Sequence, residues 1–359
     1  MKGLCFVVKS SHFDFQGKQE MVKKKALRNS ILSLGCMMMT NMIHAKTALL
    51  VVDAQYDFSD RKDAKLRIEG AEDSETNIIK LVEEATENRM HILASKDAHY
   101  LYEYNQENGT SKGMFPEFST FPIHCLAVCK ENGNEGHKEL AGTDSFIPGL
   151  HDILTRKSIV FPHHVLSKEG DWCLYSSEFT KLDNSGALDV CDTSVVKIIE
   201  KNGTPWLGGS KEKPIAPTDP RAQHSYNVGS NPAFRKIITL LAQQPDEKGR
   251  VTDYIVAGWA TNICVYSAID YLLSLKNLEG GFLINTVSMV KDAVAGIEQK
   301  ALAAVGLPIG QEDAISQLLK KHGPARFKVI ETTGEAVEQI KQDNSDESKR
   351  FKQSSTRND

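Results

Sequence analysis

Cysteine is scarce in this 359-residue chain, with only seven residues. That density excludes a disulfide-built scaffold. The odd count leaves at least one thiol free even if the others pair. Long hydrophobic runs are missing too, and no apolar stretch reaches membrane-spanning length. Charge of one sign is also lacking, since 43 Lys and Arg stand against 47 Asp and Glu, for a net charge of −4. The basic residues gather in no patch, so nothing marks a nucleic-acid surface. What is present is a chain 40% hydrophobic and 25% charged. That is enough for one large α/β domain or two smaller ones.

Residues 1–45 do not resemble the rest. Lys23, Lys24, Lys25 and Arg28 precede a short apolar stretch from Ile31 to Ile43, and Ala45 follows. A basic region, a hydrophobic region and a small residue make a secretory signal. Met21 is the natural start of such a peptide. The mature protein is then expected to begin at Lys46 and to be periplasmic or secreted. The alternative is an extra N-terminal helix on a cytoplasmic protein. Residues 46–340 read as the folded domain, with long insertions near 130–157 and 180–235. The polar, mixed-charge tail at 341–359 is expected to be disordered.

Within the domain, short apolar runs alternate with helical spacing. Thr47–Val52, His91–Ala94, Ser158–Phe161, Tyr254–Ala257, Phe282–Val287 and Arg326–Ile330 read as strands. Ser74–Asn88, a stretch from Val265 to Leu273, and Glu312–His322 read as helices. This alternation predicts a three-layer α/β fold with a mostly parallel central sheet flanked by helices. Such sheets bind ligands at the C-terminal ends of their strands. Asp53, Asp97 and the turn from Gly258 to Cys264 all fall at such ends.

Several of these residues carry chemistry. Cys264 opens a helix, where spare N–H groups and partial positive charge bias a thiol toward thiolate and can hold an oxyanion. Asp97 and His99 lie two apart and can converge on one ion, with His124 as a third ligand. One carboxylate and two imidazoles suit Zn, Fe or Mn and leave positions open. Glu103, Asn105 or Glu107 can add a further ligand. Taken singly, Asp53 reads as a capping carboxylate, Lys168 as a surface lysine and Cys264 as a core thiol.

Together and in order, the motifs resemble the nicotinamidase/pyrazinamidase branch of the isochorismatase-like cysteine hydrolases. Val51-Val52-Asp53-Ala54-Gln55-Tyr56-Asp57-Phe58 is similar to that family's first-strand motif. Asp97-Ala98-His99 with Phe121-Pro122-Ile123-His124-Cys125 is similar to its metal site. Lys168 with Tyr175-Ser176-Ser177 is similar to its catalytic-lysine segment. Gly258-Trp259-Ala260-Thr261-Asn262-Ile263-Cys264-Val265 resembles its nucleophile motif, with Asn262 where an Asp is usual. The resemblance spans roughly 46–335.

The resemblance implies a metal-dependent cysteine amidohydrolase that converts nicotinamide to nicotinate and ammonia. Cys264 would be the nucleophile, Asp53 the proton carrier and Lys168 the ammonium that keeps Asp53 ionised. The N–H groups of Ala260 and Cys264 would form the oxyanion hole, next to a cis Trp259–Ala260 bond. Phe58 and Phe121 would sandwich the substrate ring, with Tyr175 nearby. Asp97, His99 and His124 would hold the divalent transition metal (Zn, Fe or Mn). The expected partner is a small-molecule amide, with no nucleic acid and no membrane span, and a homo-oligomer is left open. Rival readings are another amide or carbamoyl hydrolase of the family and a catalytically silent binding protein on its fold. Cys125 with Cys129, and Cys173 with Cys191, remain candidate pairs or independent thiols.

Overall fold

Runs of branched and small apolar residues build the sheet. The computed structural model describes residues 46–99, 124–125, 145–161, 164–166, 172–174, 192–201, 231–244 and 250–343. Strands β1 (Lys46–Val52), β2 (His91–Asp97), β3 (Ser158–Phe161), β6 (Val196–Lys201), β7 (Val251–Trp259), β8 (Thr286–Ala295) and β9 (Phe327–Ile330) form one seven-stranded sheet. Its order is β3-β6-β2-β1-β7-β8-β9, and every neighbouring pair is parallel. A separate antiparallel pair joins β4 (His164–Leu166) and β5 (Trp172–Leu174).

The helices are α1 (Ala71–Glu87), α2 (Pro148–Thr155), α3 (Pro232–Ala242), α4 (Tyr266–Ser274) and α5 (Gln311–His322). A sixth, α6, covers residues 333–343. In α1, Ile78, Leu81, Val82 and Ala85 recur at helical spacing and are buried. Each of the larger three contributes about 1.5–3 kcal/mol by leaving water. Glu72 and Asp73 occupy the first turn, where negative charge suits the helix dipole. Helix α1 packs across β1, β2, β7 and β8, while α3 contacts β7 and α4 contacts β8. From β1 the chain winds toward β2, and from β7 it winds toward β8, in opposite directions. Right-handed crossovers then put α1 and α4 on opposite faces, which gives the predicted three layers.

Several boundaries differ from the sequence reading. Strand β6 lies inside the stretch read as an insertion at 180–235 and occupies an inner position. Three of its six residues are charged, which hid it from an apolar-run criterion. The strand read at Phe282–Val287 runs instead from Thr286 to Ala295. Phe282 is exposed, and the Arg326 guanidinium stacks 3.6 Å over its ring. The tail was expected to be disordered from residue 341, yet α6 continues to 343. Ala336, Val337 and Ile340 bury one of its faces, and Thr47 Oγ1 donates to Asp343 Oδ2 at 2.8 Å. The leader at 1–45 and residues 344–359 lie outside the described residues. No helix among the described residues is long and apolar enough to cross a membrane.

Candidate active site

The sheet reverses its winding between β1 and β7, and that switch point is where α/β sheets place their ligands. Asp53 follows β1 directly, at φ 46. Registers Val52↔Ser95 and Asp97↔Lys201 bring the ends of β1, β2 and β6 level. Ser95 Oγ donates to Asp53 Oδ1 at 2.6 Å, and the Asp53 N–H donates to Ser95 O at 3.3 Å. Lys201 Nζ lies 2.8 Å from Asp53 Oδ2 and 3.1 Å from Asp97 Oδ1. All of these side chains are buried.

Buried charges survive only when they are paired. Burial pushes the Asp53 carboxyl up; Lys201 opposes this and the Asp97 charge adds to it, so Asp53 ends above its ordinary value. Burial also acts to raise Asp97, but His99, Lys201 and His124 outweigh it and hold that carboxyl well below the usual range. For Lys201, burial disfavours the charge, yet Asp53 and Asp97 keep the ammonium well above its ordinary value.

Cys264 lies just past the end of the neighbouring strand, β7. Gly258, at φ 121, passes so close to β1 that a Cβ there would overlap the Val52 carbonyl. The Trp259–Ala260 bond is cis, as the resemblance implied. Thr261–Val265 then form one π-helical turn leading into α4. The N–H groups of Ile263 and Val265 both donate to Ala260 O, at 3.1 and 3.0 Å. Asn262 ties the turn to the chain that follows β8. Its Nδ2 donates to Ile297 O at 2.7 Å and Pro308 O at 3.1 Å, while its Oδ1 accepts from Ile297 N at 3.0 Å.

Cys264 is only 8% exposed. Burial pushes its thiol well up, Lys201 pulls the other way, and Asp53 and Asp97 raise it further. Asp53 acts on it both as a charge and as a hydrogen-bonding neighbour. Burial and the two carboxylates thus oppose the expected bias toward thiolate.

The cation candidates converge as predicted. Asp97 Oδ2 lies 3.1 Å from His99 Nε2 and 3.2 Å from His124 Nε2. One ligand atom from each residue falls within 4.8 Å of the others, and all three residues are buried. Ligand bonds of about 2.0–2.2 Å put neighbouring ligand atoms about 3.3 Å apart, so the set fits a small divalent transition metal. The His99 and His124 rings meet edge to face at 4.9 Å. Phe58 lies against His124, centroid to centroid 5.4 Å. The Cys125 N–H donates to Asp57 Oδ2 at 2.6 Å, and the His99 N–H donates to Cys125 O at 3.0 Å. These two bonds seat the segment that carries His124.

Asp53, Asp97, His99, His124 and Cys264 thus share one rim, with Phe58 beside them and the Ala260 N–H in the nucleophile turn. Phe121, Lys168 and Tyr175 lie outside the described residues. The ammonium that meets Asp53 belongs to Lys201, which sequence reasoning missed. A partial signal was available: Val195, Val196, Ile198 and Ile199 are β-branched, interrupted only by Lys197, and lead to Glu200-Lys201, as Thr47–Val52 leads to Asp53. Gln55, Asp57 and Ser95 were also unassigned.

No protein-family model matches the sequence, and no curated protein is similar to it. Among solved structures the chain is similar to nicotinamidase/pyrazinamidases and other isochorismatase-like cysteine hydrolases. The nicotinamidase/pyrazinamidase of Bacillus subtilis is 17% identical, with 79% of this chain and 99% of that one covered and a TM-score of 0.40. The pyrazinamidase of Pyrococcus horikoshii in complex with zinc is 17% identical, covering 80% and 99%, with a TM-score of 0.40. N-carbamoylsarcosine amidase from Thermoplasma acidophilum is 12% identical, covering 80% and 96%, with a TM-score of 0.39. The chemistry rests on this chain's own side chains rather than on that likeness.

Proposed function

We propose that this protein is a metal-dependent cysteine amidohydrolase acting on nicotinamide, releasing nicotinate and ammonia. The observation that carries the reading is the buried set of Cys264, Asp53 and Lys201 beside the Asp97, His99 and His124 cluster. Asp53 takes the thiol proton as sulfur attacks the carboxamide carbon. Lys201 holds Asp53 as the anion that can accept it. The N–H groups of Ala260 and Cys264 receive the oxyanion. When the C–N bond breaks, Asp53 passes the proton to the leaving nitrogen, and ammonia departs. Water then attacks the thioester, Asp53 takes its proton, the C–S bond breaks, and the proton returns to sulfur.

A zinc, iron or manganese ion held by Asp97, His99 and His124 supplies a Lewis acid suited to a pyridine nitrogen or to water. Phe58 offers a flat apolar wall, and Phe121 and Tyr175 are proposed to complete the ring pocket. Signal-peptide cleavage before Lys46 and export remain part of the proposal. The test is ammonia release from nicotinamide by the wild type and Cys264→Ala. Turnover in the wild type that vanishes in Cys264→Ala supports the reading. Turnover that survives the substitution removes Cys264 as nucleophile.

A further inference from the structure

Beyond Val52 and Ser95 the ladder between β1 and β2 stops, because the backbone turns away at Asp53. The Gln55 side chain fills the gap. Its Nε2 donates to Asp97 O at 2.7 Å, and its Oε1 accepts from Asp97 N at 2.7 Å. One buried carboxamide thus makes the two bonds that a peptide group of a neighbouring strand would make. On the other side, Asp97 pairs with Lys201 in the β6 ladder, and the Ala98 N–H donates to Lys201 O at 2.7 Å. The main chain of Asp97 is held from both sides. Its carboxylate is thereby aimed at His99, His124 and Lys201 at once.

We infer that Gln55 is a positioning residue for the cation cluster, acting through the backbone of Asp97 without touching the ion. This rests on the reading that Asp97, His99 and His124 hold a divalent transition metal. A ligand whose main chain can shift loses the spacing its partners need, and supporting residues of this kind typically contribute about 10- to 100-fold in metal affinity. Gln55→Leu removes both bonds. Gln55→Glu is nearly isosteric and keeps the acceptor, but it sets a carboxylate against the Asp97 carbonyl.

The experiment measures zinc affinity of the full chain by competition with a chromophoric chelator, alongside thermal unfolding without metal. Asn77→Ala is the control, since it deletes a comparable side-chain bond, from Nδ2 to Asp292 O at 2.7 Å, between α1 and β8. Both Gln55 variants are expected to bind zinc about 10- to 100-fold more weakly than the wild type, with Asn77→Ala unchanged. If Gln55→Leu does not fold, Gln55→Glu decides. Wild-type binding retained within about threefold in a folded Gln55 variant overturns the inference and leaves the function standing. An equal loss in Asn77→Ala overturns it too, because the effect would then be general loosening. A wild type that takes up neither zinc, iron nor manganese overturns both the inference and the metal-dependent reading.

Discussion

Lys201 and Asp53 form a buried ion pair, with Nζ 2.8 Å from Oδ2, and the same ammonium reaches Asp97 on the adjacent strand. Removing it strands two carboxylates in the interior. Lys201→Met is therefore expected to abolish turnover and to destabilise the fold by about 3–5 kcal/mol. Lys168→Ala is expected to keep most activity. Ammonia-release kinetics and denaturant unfolding of the two variants check this. An active Lys201→Met beside an inactive Lys168→Ala would reassign the role.

Metal removal has its own signature. A site that binds only the folded chain adds about 4 kcal/mol of stability when the ion is present at about a thousand times its Kd. Chelation is expected to lower both Tm and turnover, with recovery on adding back the ion. His99→Ala and His124→Ala are expected to lose stoichiometric metal by elemental analysis while keeping the fold.

Asn262 donates to one buried and one partly buried carbonyl as well as accepting one N–H. An aspartate there can accept but not donate, and each unsatisfied buried group costs about 1–3 kcal/mol. Asn262→Asp is expected to lower stability by about 2–4 kcal/mol, with a smaller effect on kcat, since the side chain bonds to the segment after β8. Unfolding curves read against steady-state kinetics separate the two effects.

Midway along α4, Asp270 accepts from His322 at 2.8 Å and from Lys321 at 2.9 Å on α5. Burial acts to raise its carboxyl, but these two bonds win and hold it below the ordinary 3.8. A depressed carboxyl stabilises the fold fully above that ordinary value, and the contribution fades as pH falls through the lowered one. Its side chain is 21% exposed and Lys321 is 53% exposed, so solvent screens the pair. Asp270→Asn is expected to cost about 1 kcal/mol near neutral pH. The difference from wild type should close in strong acid. A Tm gap that does not narrow in acid contradicts the assignment.

The strand ends were legible because an apolar run that stops at a carboxylate marks both a buried strand and its functional rim. Asp53 shows this directly, Asp97 comes shortly after a second apolar run, and Cys264 after a third, Tyr254–Ala257. Lys201 was hidden for the opposite reason. Its strand mixes Lys197, Glu200 and Lys201 with apolar residues, and each charge is buried. Lys197 is held by the Asp192 carbonyl at 2.6 Å, and Lys201 by carboxylates on two other strands. Partners so distant in sequence leave no periodic trace. Gln55 escaped notice similarly, since its value lies in replacing a peptide group of a ladder that only the folded chain reveals.

Gly258 sets how closely β7 can approach β1. With no side chain, β7 rests directly on the Val52 carbonyl, one residue before Asp53. A single methyl group at this position would act as a spacer, prising the thiol-bearing strand off the acid-bearing one. Gly258→Ala should thus register first as a lengthened proton path and a fall in kcat, even in whatever fraction of the protein still folds.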